Sequence, residues 1–378
     1  MRALDAQYLQ DASESPAYCP HCGRPMARAT EYLLADAIAD YRLEIGDERA
    51  SADTIAARLK HVVDFLEATN RIEASCAHAC VPGFAEAFRL WSKKQPVVWR
   101  NKQGAITVSR ARSPATTEES ILQLVAVLNH AAKEKRSDTR PEYSPIGRKR
   151  VTRKRRVRVD VDVLARMLAY AAEPKKQRET LHAFLVGSIC TLARPDAVVD
   201  ISTDPSRRQW WPGSTTIDLN PQLRTQTKKS RPVLPVVPLL DRWLTEIHAD
   251  ANDEKRPTNH WLVNYFGSPV ANVESAWETM LKKLSLPLDR EWRPYVLRHS
   301  LATLMRRRGV PKWELQGFMG HADGSVTETY AVELEFPNVC NALNAIIGEL
   351  EAMAPGALHR TLTGPSHTII PLRRRKMP

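Results

Sequence analysis

Two arginines, a histidine and a tyrosine stand in an order that suits one reaction. Arg194 lies in Leu192-Ala193-Arg194-Pro195, and Arg298 follows far downstream in Tyr295-Val296-Leu297-Arg298-His299-Ser300. Met319-Gly320-His321 comes next, then Tyr330, nine residues beyond that histidine. A phosphodiester carries its negative charge on two non-bridging oxygens, and more charge gathers there as a nucleophile attacks. Guanidinium suits that load because it is planar, permanently charged and donates two parallel hydrogen bonds. Two arginines from remote segments can hold one phosphate from two sides, which is electrostatic stabilisation of the transition state. A phenol then serves as a nucleophile that can later be displaced, because phenoxide leaves more readily than an alkoxide. Taken singly, each residue has an ordinary reading: a surface charge, a capping histidine, a half-buried aromatic. Their order, spacing and flanking residues together favour the chemical one.

This pattern resembles the tyrosine recombinases, the phage-integrase family, and the resemblance extends over most of the chain. It implies Tyr330 as nucleophile, with Arg194, Arg298 and His321 on the scissile phosphate. Attack would give a 3′-phosphotyrosyl bond and a free 5′-hydroxyl that attacks a partner strand. No cofactor is required, because the bond energy stays in the phosphotyrosine. It further implies double-stranded DNA as partner, a homo-tetramer on two DNA sites, and room for an accessory DNA-bending factor.

Two positions depart from the family pattern. The family often has an acid three residues after the first arginine to orient its guanidinium; here that position is Ala197, which leaves Asp196 or Asp200 for the task. Three residues before the second arginine the family commonly has histidine, and here Tyr295 stands there. A phenol can donate to a phosphate oxygen, but with a pKa of about 10 it positions rather than shuttles protons at neutral pH. Between the arginines, Thr216–Leu219 and Val233–Val237 read as short strands flanking Arg224-Thr225-Gln226-Thr227-Lys228-Lys229-Ser230-Arg231. That resembles the family's hairpin carrying a lysine into the minor groove, where an ammonium protonates the departing 5′-oxygen. Lys228 is the first choice and Lys229 the second, with Lys229 and Arg231 otherwise expected on DNA phosphates.

Composition agrees with a polyanionic partner. Formal net charge is +12 over 378 residues, a footprint that favours nucleic acid over membrane. No apolar run is long enough to span a bilayer and the start lacks a signal-peptide core, so a cytoplasmic, nucleoid-associated protein is expected. Six cysteines in so long a chain do not suggest a disulfide framework.

The predicted fold is mainly α with a small β-sheet (α+β), in two domains. Residues 1–29 form a polar leader with Cys19-Pro20-His21-Cys22, half of a zinc knuckle. Cys76 and Cys80 are the nearby thiols that could complete a structural zinc site; free thiols are the alternative. Residues 30–136 carry apolar stripes at helical spacing: Leu34, Ile38, Tyr41 and Ile45; Ile55, Leu59, Val62 and Leu66; Phe84, Phe88 and Trp91; and Ile121, Leu124, Val125 and Leu128 behind Thr116/Thr117. This resembles the helical core-binding domain of the family, with a hairpin or loop around Trp99–Val108. Residues 137–158 form a basic linker holding Arg148, Lys149, Arg150, Arg153, Lys154, Arg155, Arg156 and Arg158 with no acid among 148–158. Each phosphate such a strap neutralises steepens the salt dependence of binding by about one unit of slope. Residues 159–350 form the catalytic domain. Its last helix, Val339 to Leu350, could pack at home or dock on a neighbouring protomer, and 351–378 is a basic tail. Two other readings share these features: a type IB topoisomerase-like enzyme, and a DNA-binding regulatory or architectural protein on the same fold whose catalysis has decayed.

Overall fold

The structure, a computed structural model, describes residues 32–49, 51–101, 103–152, 156–174, 178–226, 230–252, 260–321 and 336–360. The chain divides into two compact units, one up to residue 154 and one from 155 onward. Both are helical, and the sheets among the described residues are three two-stranded antiparallel pairs. No described helix is long and apolar enough to cross a membrane.

In the first unit, α1 (Leu34–Tyr41), α2 (Ala52–Ala68), α3 (Cys76–Cys80), α4 (Pro82–Lys94) and α5 (Pro114–Lys133) bury their apolar faces together. Leu34, Leu59, Leu66, Phe88, Ile121 and Leu124 form the centre of that core, each worth about 1.5–3 kcal/mol of apolar burial. The first stripe ends early, since Arg42–Gly46 is a π-turn and Ile45 is only partly buried. Helix α5 also begins before Thr116/Thr117: Pro114 occupies its first position, where a missing N–H is no loss. A hairpin of β1 (Val97–Arg100) and β2 (Ile106–Arg110) joins α4 to α5. The buried Glu118 carboxylate accepts both Nε and Nη2 of Arg89, at 2.7 and 2.9 Å, and the Ile146 N–H at 2.6 Å. That one residue ties α4 and the following segment to α5. The basic stretch begins with a helical turn, α6 (Arg148–Val151), whose Arg148, Lys149 and Arg150 are exposed.

The second unit is built around α8 (Glu179–Thr191), in which every residue from Thr180 to Thr191 is buried. Helix α7 (Val161–Ala172), the short α9 (Pro195–Val198), α10 (Pro238–Ala251), α11 (Glu274–Lys283), α12 (Val296–Arg307) and α14 (Pro337–Met353) also build this unit. Between α9 and α10 lies a hairpin of β3 (Thr216–Asp218) and β4 (Val233–Pro235), paired Thr216↔Pro235, Ile217↔Leu234 and Asp218↔Val233. A Cβ at Gly187 would come within 2.9 Å of Val198 and Leu262 side-chain atoms, so α8 can approach α9 closely only with glycine there. Helix α12 ends as a Schellman motif. Gly309 adopts φ +85, its N–H bonds Arg306 O, and the Val310 N–H bonds Met305 O. Helix α14 packs at home, with Val339, Leu343, Ile346 and Leu350 in the core of its own unit.

Candidate active site

Arg298 projects from the first turns of α12 and is 3% exposed. Its Nη1 donates to Leu192 O at 2.6 Å, and its Nη2 donates to Met319 O at 2.6 Å and to His321 Nε2 at 3.1 Å. Leu192 caps α8 in the left-handed region, φ 48, which turns the chain toward Arg194. One guanidinium therefore joins the ends of α8, α12 and α13 (Lys312–Phe318). Its Nε is buried with no hydrogen-bond partner among the described residues. Burial pushes its pKa down to about 10, with nearby Arg194 adding to the shift and the Tyr295 hydroxyl opposing it.

Arg194 immediately precedes α9, whose first residue is Pro195. It is half-buried and donates from Nη1 to Ser230 O at 2.8 Å. Arg194, Ala197, Ser230, Arg231, Arg298 and Met319 line one small cavity. The two arginines named from the sequence thus share a site, and neither pairs with a carboxylate among the described residues. His321 is exposed and follows Gly320, which holds φ +64. Tyr295 precedes α12 with its ring edge-on to His299, centroids 4.8 Å apart. His299 therefore packs against the Tyr295 ring.

Two expectations are corrected. Asp196 and Asp200 do not orient Arg194; both carboxylates instead hold Arg231. Arg231 is consequently enclosed rather than open to solvent: its side chain is 8% exposed and its guanidinium also reaches the Leu219 and Asp196 carbonyls. Arg158 is similarly occupied, with Nε on Thr303 Oγ1 at 2.9 Å and Nη1 on Val157 O at 2.7 Å. Arg156 is exposed. Tyr330, Lys228, Lys229, Arg153, Lys154, Arg155, Cys19 and Cys22 lie outside the described residues. The described residues on either side of 227–229 are joined, however. The Gln226 amide accepts from the Arg231 N–H at 3.2 Å and donates to the Arg231 carbonyl at 3.1 Å.

Cys76 and Cys80 sit in the apolar core of the first unit. Burial pushes the Cys76 thiol up to about 12, and its Sγ lies 3.8 Å from Leu33 O. No group of three or more possible metal-ligating side chains occurs among the described residues. The carbonyls of Leu192, Met319 and Ser230, which aim both arginines, had no signature in the sequence because every residue owns one.

Residues 158–335 match the model of the phage integrase family. That segment is a phage-integrase domain. Among curated proteins, the chain is 35% identical over 79 residues to the tyrosine recombinase XerD of Halalkalibacterium halodurans. It is 33% identical over 113 residues to an integrase of Streptomyces ambofaciens. These stretches cover 20% and 28% of this chain, and 26% and 29% of those relatives' lengths. Among solved structures, the Tn1549 transposon integrase, in complex with transposon right end DNA, superposes with TM-score 0.55 at 15% identity. The match covers 84% of this chain and 99% of that one. A second structure of it, with circular intermediate DNA, gives the same TM-score at 16% identity. The integrase domain and the helices before it therefore share that protein's fold.

Proposed function

We propose that this protein is a tyrosine-type, site-specific DNA recombinase that cuts and rejoins strands at the ends of a mobile element. The observation that carries the reading is Arg298: among the described residues it is a buried cation with no carboxylate paired to it and no partner for its Nε, and a second guanidinium lies nearby. Burying a charge without a counter-ion is costly, and such a site is satisfied by an anion arriving from solution. A DNA phosphate meets both the charge and the fork geometry.

In this reading the phosphate sits between Arg194 and Arg298, and His321 hydrogen-bonds a non-bridging oxygen. The Tyr330 phenol attacks phosphorus, the bond to the 5′-oxygen breaks, and Lys228, or Lys229, protonates that oxygen as it leaves. The 5′-hydroxyl of a partner strand then displaces the phenol and restores Tyr330. Tyr295, hydrogen-bonded to Arg298, holds the clamp without carrying protons. Double-stranded DNA is the partner, and the exposed Arg148, Lys149, Arg150 and Arg156 follow its backbone. Exchange between two duplexes calls for four copies of the chain, one for each strand cut.

The test starts from a pool of nicked duplexes with a randomised centre, from which the wild-type protein selects those it traps covalently. A plasmid carrying two copies of the selected duplex should be rearranged between them. Relaxation of a plasmid lacking the duplex, with no rearrangement, would make the protein a topoisomerase instead; retention without trapping would make it a binding protein.

A further inference from the structure

Arg231 stands two positions after Lys229 and, among the described cations near the site, is the most enclosed other than Arg298. Its Nη1 pairs with Asp200 Oδ2, and its Nη2 lies 3.3 Å from Asp196 Oδ2. Asp200 is itself fixed from the other side by Arg207, whose Nη2 is 2.5 Å from Oδ1 and whose guanidinium lies over the Trp261 ring. The backbone of Arg231 is gripped by Gln226. The residue is therefore immobilised by its side chain and its main chain together.

Its neighbours on each side touch the catalytic cluster. The Ser230 carbonyl receives Arg194, in that arginine's one hydrogen bond among the described residues. Pro232 lies so near Gly320 that a Cβ there would come within 2.7 Å of its Cδ and 2.9 Å of Ser230 O. Ser230–Pro232 is thus a bracket between Arg194 and the turn presenting His321, and Arg231 is the bolt that fixes it. Carbonyl placement sets guanidinium aim, because a planar donor loses its bond when the acceptor moves by about 1 Å. The position where a carboxylate would act on Arg194 directly, Ala197, lines the same cavity and offers only a methyl group.

We propose that Arg231 is a positioning residue for Arg194: the Arg231–Asp200–Asp196 cluster aims the catalytic guanidinium through the Ser230 carbonyl, replacing an acid at position 197. The inference rests on the recombinase reading above, and the experiment separates the two. Arg231→Lys keeps the charge and loses the fork; Asp200→Asn keeps the shape and loses the charge. For each, affinity for the selected nicked duplex and the single-turnover rate of covalent trapping at saturating duplex are measured. Both variants should trap about tenfold or more slowly with affinity unchanged. Adding Ala197→Asp to Arg231→Lys should restore part of the rate, a rescue that repair of general stability would not supply. Asp200→Asn carries the same expectation if Arg231→Lys does not fold. Weakened affinity with an unchanged trapping rate would make Arg231 a DNA contact and overturn the proposal. Unchanged behaviour in both assays, or no rescue by Ala197→Asp, would overturn it as well. Wild-type protein that traps nothing would instead defeat the recombinase reading.

Discussion

Arg298 and His321, 23 positions apart in the chain, meet at 3.1 Å between Nη2 and Nε2. Guanidinium can only donate, so Nε2 accepts, and a neutral ring in this arrangement carries its proton on Nδ1. The contact brings α12 and the turn after α13 to one point and leaves the histidine at the edge of the cluster. In the proposed reaction a phosphate oxygen would replace Nε2 as the acceptor for this guanidinium, and His321 would donate to phosphate only with a proton on the nitrogen that faces it. The bond between them would then be a resting-state arrangement that substrate displaces.

Replacing Arg298 tests the clamp. Arg298→Lys keeps a cation but cannot reach Leu192 O, Met319 O and a phosphate together. Covalent trapping of the selected duplex should slow on the order of a hundredfold or more, while gel-shift affinity, which depends on many backbone contacts, changes little. A variant that traps at the wild-type rate would remove Arg298 from the chemistry.

Gly320→Ala tests the closeness of the His321 turn to the Ser230–Pro232 bracket. The added methyl meets Pro232 and Ser230 O inside normal contact distance, in a backbone with φ +64 that favours glycine. Loss of about 1–3 kcal/mol in stability is expected from strain alone, read from denaturant midpoints. Trapping should fall further than stability explains, because Ser230, which receives Arg194, and the turn presenting His321 both shift.

Glu314 tests how the chain is fastened on either side of residues 322–335. Its carboxylate, 0% exposed, accepts the Val339 N–H and Asn338 Nδ2, each at 2.8 Å, at the start of α14. Glu314→Ala leaves the Val339 N–H buried without its acceptor, while the exposed Asn338 side chain can turn to water, and should cost about 2 kcal/mol, against about 1 kcal/mol for Glu314→Gln, which keeps an acceptor. Equal stability of the two variants in thermal melts would show that the cap contributes nothing.

The grouping of the arginines and the histidine was legible because one chemistry would fix all their types: a phosphate clamp would need guanidinium whatever holds it. The apolar stripes were legible for a similar reason, since Leu59, Leu66, Ile121 and Leu124 have no other way to leave water. Arg231 was misread. A basic residue in a basic stretch looks solvated until the fold brings Asp196 and Asp200 to it. Leu192, Ser230 and Met319 contribute only carbonyls, whose directions follow from helix ends and a turn rather than from side-chain identity. The start of α5 was placed late because Pro114 reads as a breaker until it is seen to open the helix.

His61 gives the first unit a pH dependence. It is buried between Ser120 and Ser92, and burial pushes its pKa down to about 4, with Arg112 adding to the shift. The unfolded chain, with the free value of 6.5, takes up the proton first. Stability is therefore full above about pH 6.5 and falls as pH drops toward 4, by about 3 kcal/mol at most. Urea titrations across that range should show the slope, and His61→Gln should flatten it. A wild-type stability independent of pH over this window would contradict the assignment.

The central claim is that the phenol of residue 330 attacks a phosphorus atom held by Arg194 and Arg298. Mass spectrometry of the peptide left on DNA after the selected nicked duplex is trapped and digested tests it most directly. A phosphotyrosyl linkage at Tyr330, absent from Tyr330→Phe, is the predicted result. DNA linked through Tyr295 or another residue, or trapping that survives Tyr330→Phe, would contradict it.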